Sequence, residues 1–415
     1  MSEEEEQDNM HQSVGARSRE IPRREFIKLA ALAGLLAGCG PVRQAVVPPA
    51  DTSFPTSTPV PMTPPTARPA TATAVPPTPS PTATPAPPTA VPPTATATPV
   101  PPTATATIVA RRPEVLKLYP DVPSKVVRTH HAGVWNGDQL APAAMREMLD
   151  ASITNLTGVQ DARAAWAALF DPGERIGIKV NVFRNSLIWT HLPLVLAVTG
   201  CLQEAGIPAE QIVLFDYFTS EFETAAYPIN LDGPGVRCYG TDGDYAPGWQ
   251  VSGATLGLSN ILLSCNALIN MPILKSHMIA GLSFALKNHY GSISRPESLH
   301  YGQNMNVGMA ALNALPPIKD RTRLIIGDAL EACLRYTGSF PYWRADWKGD
   351  SIFMSFDPVA QDTVGLEVYR QLLTEAGDNP AMAISKATPW LQSGAELGLG
   401  TNDPKNMELV EVKLG

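Results

Sequence analysis

From about residue 125 to the C-terminus, short apolar runs of strand length alternate with stretches in which apolar residues recur every three or four positions. Residues 125–130 read as a first strand, and 141–156 place Met145, Met148, Leu149, Ile153 and Leu156 at helical spacing. A second helix covers 161–170, Asp171-Pro172-Gly173 makes a turn, and 175–182 return as a strand. A helix over 193–205 stops at Gly206, a residue suited to the left-handed position after a helix. A strand follows at 211–216, and residues 217–257 lack a clear period, predicting mostly loops with one short strand near 236–239. Residues 261–269 are apolar enough for a strand buried on both faces, stopped by Pro272, which has no N–H to give a sheet. Beyond it the pattern predicts a helix at 304–315, strands at 323–327 and 351–355, helices at 358–375 and 381–391, and a strand at 408–413. Strands separated by helices predict a single α/β domain over 113–415, with a largely parallel, helix-flanked sheet.

The chain ahead of this domain has a different composition. Residues 1–22 are polar and acidic, and Arg23-Arg24 lead into an apolar run at 29–37 that is too short to span a bilayer. With Leu36-Ala37-Gly38-Cys39 behind it, the segment 1–39 resembles a twin-arginine (Tat) signal fused to a lipobox. That resemblance implies export by the Tat translocase through Arg23 and Arg24, and lipidation of Cys39. It gives an extracytoplasmic protein held to the cell membrane by its lipid. Residues 40–112 are a Pro/Thr-rich tract, and between 47 and 107 only Asp51 and Arg68 carry charge. Proline favours extended polyproline II and the apolar content is too sparse for a core, predicting a disordered stalk with a reach of up to ~190 Å. Its threonines suit O-glycosylation.

The formal charge is −8, and seven acidic and five basic residues precede Cys39, leaving about −6 downstream. Mild acidity argues against nucleic acid as a partner. None of the five cysteines, Cys39, Cys201, Cys238, Cys265 and Cys333, has a C-x-x-C neighbour. That spacing argues against an iron–sulfur cluster or a common zinc site. The last four permit up to two disulfides in any of three connectivities. Cys265, inside an apolar run, reads as a small buried hydrophobe.

Chemically capable residues gather where the apolar strands stop. Lys179 and Asn181 follow one strand, Asp216 another, Asn270 and Lys275 a third, Asp328 a fourth and Asp357 a fifth. Ligands of open α/β sheets bind outside the carboxyl ends of the strands, so these ends predict one rim. Lys275 and His277 lie two apart, on one side of an extended chain. After Gly281 a short helical run presents Lys287, Asn288 and His289.

Lysines in apolar surroundings require an anion or access to water, so Lys179, Asn181, Lys275, His277, Lys287 and Asn288 are candidate contacts for a small anionic ligand. Alternatively, Lys179 and Lys287 reach solvent from ordinary surface positions. If the domain is an enzyme, His277 and Lys275 are the candidate acid and base. Asp328, Glu331, Asp357 and Asp362 are candidate ligands of a divalent metal, although Asp357 before Pro358 also reads as a helix N-cap. Asp328 and Glu331 share a face only if their segment is helical. Of His130 and His131, adjacent on a strand, at most one can join the rim. The aromatic run Phe340-Pro341-Tyr342-Trp343, with Trp347, reads as a packed loop. No Walker A, G-x-S-x-G or G-x-G-x-x-G occurs between strand and helix, counting against the common P-loop, hydrolase and dinucleotide folds.

The block MPILKSH at 271–277 followed by ALKNHYG at 285–291 resembles the DUF362 family, whose members share a P-x-L-K-x-H and K-N-x-x-G signature. GIKVN at 177–181, IIGDALEA at 325–332 and FDPVAQDTVG at 356–365 fit it in the same order. The resemblance covers roughly 126 to the C-terminus and implies little about chemistry, because the family is largely uncharacterised. Many members carry a ferredoxin-like cluster segment or a Tat signal, so it adds a redox-associated protein to two other readings. These are a small-anion binder in a strand-end cleft and a metal-dependent or acid–base enzyme on such an anion. This chain departs from the cluster-bearing members in its cysteines.

Overall fold

Eleven segments pair into one sheet in a computed structural model, which describes residues 17–20, 121–183, 185–300 and 303–415. They are β1 (Arg17–Glu20), β2 (Ser124–His131), β3 (Ile176–Lys179), β4 (Ile212–Asp216), β5 (Arg237–Gly240) and β6 (Ala267–Asn270). Then follow β7 (Ile273–His277), β8 (Gly281–Ser283), β9 (Thr322–Cys333), β10 (Trp347–Ser355) and β11 (Met407–Leu414). The order is β1-β11-β2-β10-β9-β6-β3-β4-β5, with β7 beside β9 and β8 beside β7.

From β9 to β5 every neighbour is parallel, as is β11 with β2, whereas β10 runs antiparallel to both β9 and β2. The sheet is therefore mostly parallel, with an antiparallel insert that the strand pattern did not reveal. Arg23, Arg24, Cys39 and the Pro/Thr-rich tract lie outside the described residues.

Alternation along the strands divides the core. Ile176, Ile178, Ile269, Ile326 and Met354 face one side, where α1 (Pro142–Thr157), α2 (Ala162–Leu169) and α3 (Leu192–Glu204) pack. Phe215, Leu268 and Phe353 face the other, covered by α4 (Gln303–Asn313), α5 (Pro358–Glu375) and α6 (Ala381–Glu396). The helix ends follow local chemistry: α1 starts on Pro142 and stops at left-handed Gly158, and Asp161 caps α2 through the Ala164 N–H at 2.7 Å. Among the described residues no helix is long and apolar enough to cross a membrane.

Two expectations are corrected. The apolar run 261–269 is not one strand: Asn260–Ser264 form a helical turn capped by Ser259, and the strand begins only at Ala267. A run of uniform apolarity serves a buried turn as well as a buried strand. The region 217–257 is more regular than expected, containing the helix Thr219–Thr224 and an antiparallel hairpin of Tyr245–Val251 with Ala254–Ser259.

Candidate functional site

The site forms where β6 and β3 part company. β6 pairs with β3 up to Asn270 opposite Lys179, and beyond that point β3 has ended. Pro272, unable to donate to a ladder, interrupts the strand, and the chain resumes as β7 alongside the long β9. The Asp328 N–H bonds the Pro272 carbonyl at 2.8 Å across this break. The vacated strand position opens into a cavity of about 230 Å³ at the carboxyl ends of β3 and β4. β7 and β8 form a hairpin with Lys275 opposite Ser283 and His277 opposite Gly281, which has a left-handed φ of 78°. The alternation that places Lys275 and His277 on one side holds, and both line the cavity.

A buried polar chain forms the floor. Lys179, fully buried, pairs with Asp216 at 2.7 Å, joining the ends of β3 and β4. Asn288 donates to the Lys179 carbonyl at 3.0 Å and to Asn270 Oδ1 at 2.8 Å, while its own Oδ1 accepts from Asn181 at 3.2 Å. Asn181 Oδ1 in turn accepts from Lys275 Nζ at 2.7 Å. Gly291 packs onto the ion pair so tightly that a Cβ there would lie 2.0 Å from Asp216 Oδ1. Lys179 is thus not a free cation of the rim. Its counter-ion is supplied by the neighbouring strand end, and it lies beneath the cavity rather than in its wall.

Lys275 and Lys287 differ from it. Neither makes an ion pair among the described residues, although both are almost fully buried in the cavity wall. The Lys275 ammonium sits 5.0 Å from the Trp343 ring centroid. Burial lowers its pKa to about 8 despite the carboxylates of Asp216 and Glu221, with Lys179 lowering it further. Lys287 Nζ lies 3.7 Å from the Tyr290 ring centroid and 2.9 Å from His300 Nε2. Burial, reinforced by Lys275, holds its pKa well below the ordinary lysine value.

Two histidine tautomers follow from hydrogen bonding. His300 Nδ1 lies 2.8 Å from the Pro296 carbonyl, which can only accept, so Nδ1 carries the proton and Nε2 accepts from Lys287. Burial and Lys287 lower the pKa of His300 to about 4, so the ring is neutral. His277 Nδ1 accepts the N–H groups of Ile279 and Ala280 at 3.2 and 3.1 Å, leaving Nε2 protonated in the neutral ring. Burial, then Lys287, His300 and Lys275, hold its pKa well below the usual imidazole value. His277 therefore offers a hydrogen-bond donor and is ill suited to act as a general base. Its ring stacks between His300 at 5.7 Å and Trp343 at 6.0 Å. These three rings also line an adjoining cavity, so they form the partition between the two.

The four carboxylates proposed as metal ligands are dispersed. Asp362 on α5 is fully buried and accepts the N–H groups of Ala285 and Leu286 at 2.6 and 2.9 Å, holding the turn that presents Lys287 and Asn288. Burial raises its pKa to about 7 against these two hydrogen bonds. Asp357 caps α5 through the Ala360 N–H at 2.8 Å and also accepts from Ser124 and Thr401, as the proline after it foretold. Asp328 and Glu331 lie on an extended, bulged strand rather than a helix, and His191 joins them at 2.8 and 3.4 Å. Burial opposes the charge on His191, yet these two carboxylates outweigh it and push its pKa up to about 10. Among the described residues no cluster of three or more His, Cys, Asp or Glu has metal-holding geometry.

His289 turns into the core beside Ser292, while His130 and His131 lie near Asp350 and Glu147, away from the cavity. Cys201, Cys238, Cys265 and Cys333 are buried free thiols. His300, Tyr290 and Trp343 are among the wall residues that the sequence reading did not assign. A signal for His300 exists: His-Tyr-Gly occurs at 289–291 and again at 300–302. Trp343 is fixed by its indole N–H on the Ser276 carbonyl at 2.7 Å, a contact between segments 67 residues apart.

Residues 176–367 match the family model described as Domain of unknown function (DUF362), and the match contains every wall and floor residue named above. This region is a DUF362 domain. No curated protein sequence matches the chain significantly. Among solved structures, a Thermotoga maritima protein is similar with 11% identity and a TM-score of 0.32, over 63% of this chain and 60% of that one. The lactate racemase apoprotein of Thermoanaerobacterium thermosaccharolyticum is similar with 9% identity and a TM-score of 0.29, over 51% of each chain. The chain thus spans between half and three-fifths of the length of these two proteins.

Proposed function

We propose that the DUF362 domain binds a small organic anion, a carboxylate, in the cavity between β7, β8 and the carboxyl ends of β3 and β4. The observation that carries this reading is the contrast among the three lysines. Lys179 has Asp216, whereas Lys275 and Lys287 face one cavity without an ion pair among the described residues. Lys275 still feels Asp216 and Glu221, but the charge acting on Lys287 is that of Lys275, so Lys287 has most to gain from an anion. Asn181 and the His277 Nε2–H add polar groups for orientation, and Tyr290, Trp343 and Phe183 supply apolar walls. The size, about 230 Å³, suits a metabolite rather than a polymer.

A charge-assisted hydrogen bond contributes about 1.5–3 kcal/mol. Lys287→Met keeps most of the stem and removes the charge, so affinity is expected to fall by about 10- to 100-fold. Calorimetric titration with small mono- and dicarboxylates and inorganic phosphate measures it. The ligand-free melting temperature should hold or rise, since a buried amine whose charged form is disfavoured by burial and by Lys275 is removed. An unchanged affinity for every anion that the native protein binds would overturn the reading. For its address, we propose Tat export and a lipid anchor at Cys39, supported by the order of twin arginine, short apolar run and lipobox.

A further inference from the structure

We propose that Lys287 is a nucleophilic amine that condenses with the carbonyl of a small oxo acid to form an imine, while Lys275 holds the carboxylate of that acid. The inference rests on the anion-site reading and names the substrate class of the same cavity. Its geometric basis is the surroundings of Lys287 Nζ: a neutral imidazole nitrogen of His300 at 2.9 Å, an aromatic face at 3.7 Å and, among the described residues, no carboxylate paired with it. An amine attacks a carbonyl only when unprotonated. A lysine becomes so when it is desolvated beside another cation, which is how burial and Lys275 act on Lys287. The partner of Lys287 is a proton acceptor, held in the accepting tautomer by its bond to Pro296.

In the reaction, the Nζ lone pair forms the bond to the carbonyl carbon and the C=O π pair moves to oxygen. His300 Nε2 takes a proton from the nitrogen and delivers it to that oxygen, giving a carbinolamine. The second N–H proton follows the same route as the carbon–oxygen bond breaks, one water leaves, and the C=N bond forms. No oxidant or reductant takes part. Lys275, still bonded to Asn181, is the cation available for the carboxylate.

The test incubates the full chain with pyruvate, acetoacetate or levulinate in the presence of cyanoborohydride, which reduces an imine to a stable secondary amine, and maps the adduct by mass spectrometry. Binding of the same acids is measured by calorimetry without reductant. The expected result is a near-stoichiometric adduct at Lys287 with at least one acid, suppressed by excess lactate, which has the carboxylate but no carbonyl. Lys287→Arg should still bind the acid but lose the adduct, and Lys275→Met should require about tenfold more acid for the same labelling. Binding without an adduct, or an adduct at other lysines only, would overturn the imine and leave the anion site standing. Neither binding nor adduct with any of these acids, together with no affinity for other carboxylates, would overturn both.

Discussion

Lys275 and Lys287 show how far a side chain's chemistry depends on its partner. In the sequence three lysines were alike as candidate anion contacts, but one is neutralised by Asp216, one leans on an amide oxygen and one on an imidazole nitrogen. This gives the site a pH dependence with a definite sign. Burial lowers the Lys275 pKa to about 8 in the free protein and an anion requires it charged, so its contribution to affinity should be level below that pH. Above it, affinity should fall, by at most tenfold per unit. Calorimetric titrations from about pH 6 to about pH 10 check this, and affinity that rises with pH would remove Lys275 from the site. The same depression makes the unfolded chain the stronger proton binder between about 8 and 10.5, so this group's contribution to ligand-free stability grows across that window. Lys275, His277, Lys287 and Asn288 were legible because alternation and one short helical turn decide which side they face. The roles of Lys179 and His300 were not, since their partners arrive from other elements.

Among the elements, the turn Ala285–Asn288 and the segment after it have the most closely specified setting. Asp362 on α5 fixes the start of the turn, Asn313 on α4 donates to the Leu286 carbonyl at 2.7 Å, and Gly291 closes over the Lys179–Asp216 pair. Gly291 is needed for close approach. Gly291→Ala would push a methyl group into a buried ion pair that has no slack, and should cost about 3 kcal/mol. Urea unfolding measures it; a loss below about 0.5 kcal/mol would show that the pair can shift and that the floor is not rigid. The start of α5 was readable, because Asp357-Pro358 act through their own backbone neighbourhood. The turn at Asn260–Ser264 was not, although Ser259 is a capping residue, because its apolar run continues without interruption into β6.

For the whole molecule, the alternation of strands and helices correctly indicated a mostly parallel, helix-flanked sheet. The address belongs to this scale too: replacing Arg23 and Arg24 with lysine should leave the precursor in the cytoplasm, as cell fractionation would show, and undiminished export would refute the Tat assignment. By itself the sequence determined what depends on near neighbours: periods of two and 3.6, caps, proline breaks, the leader-like order of residues 23–39 and the order of the family blocks. Only the tertiary structure decided which strand ends adjoin, which lysine has a counter-ion, and which backbone N–H groups Asp357 and Asp362 accept. The physical reason is that charge and hydrogen-bond partnership act through space over a few ångströms, and in this fold those ångströms separate residues 37, 109 and 137 positions apart in the chain.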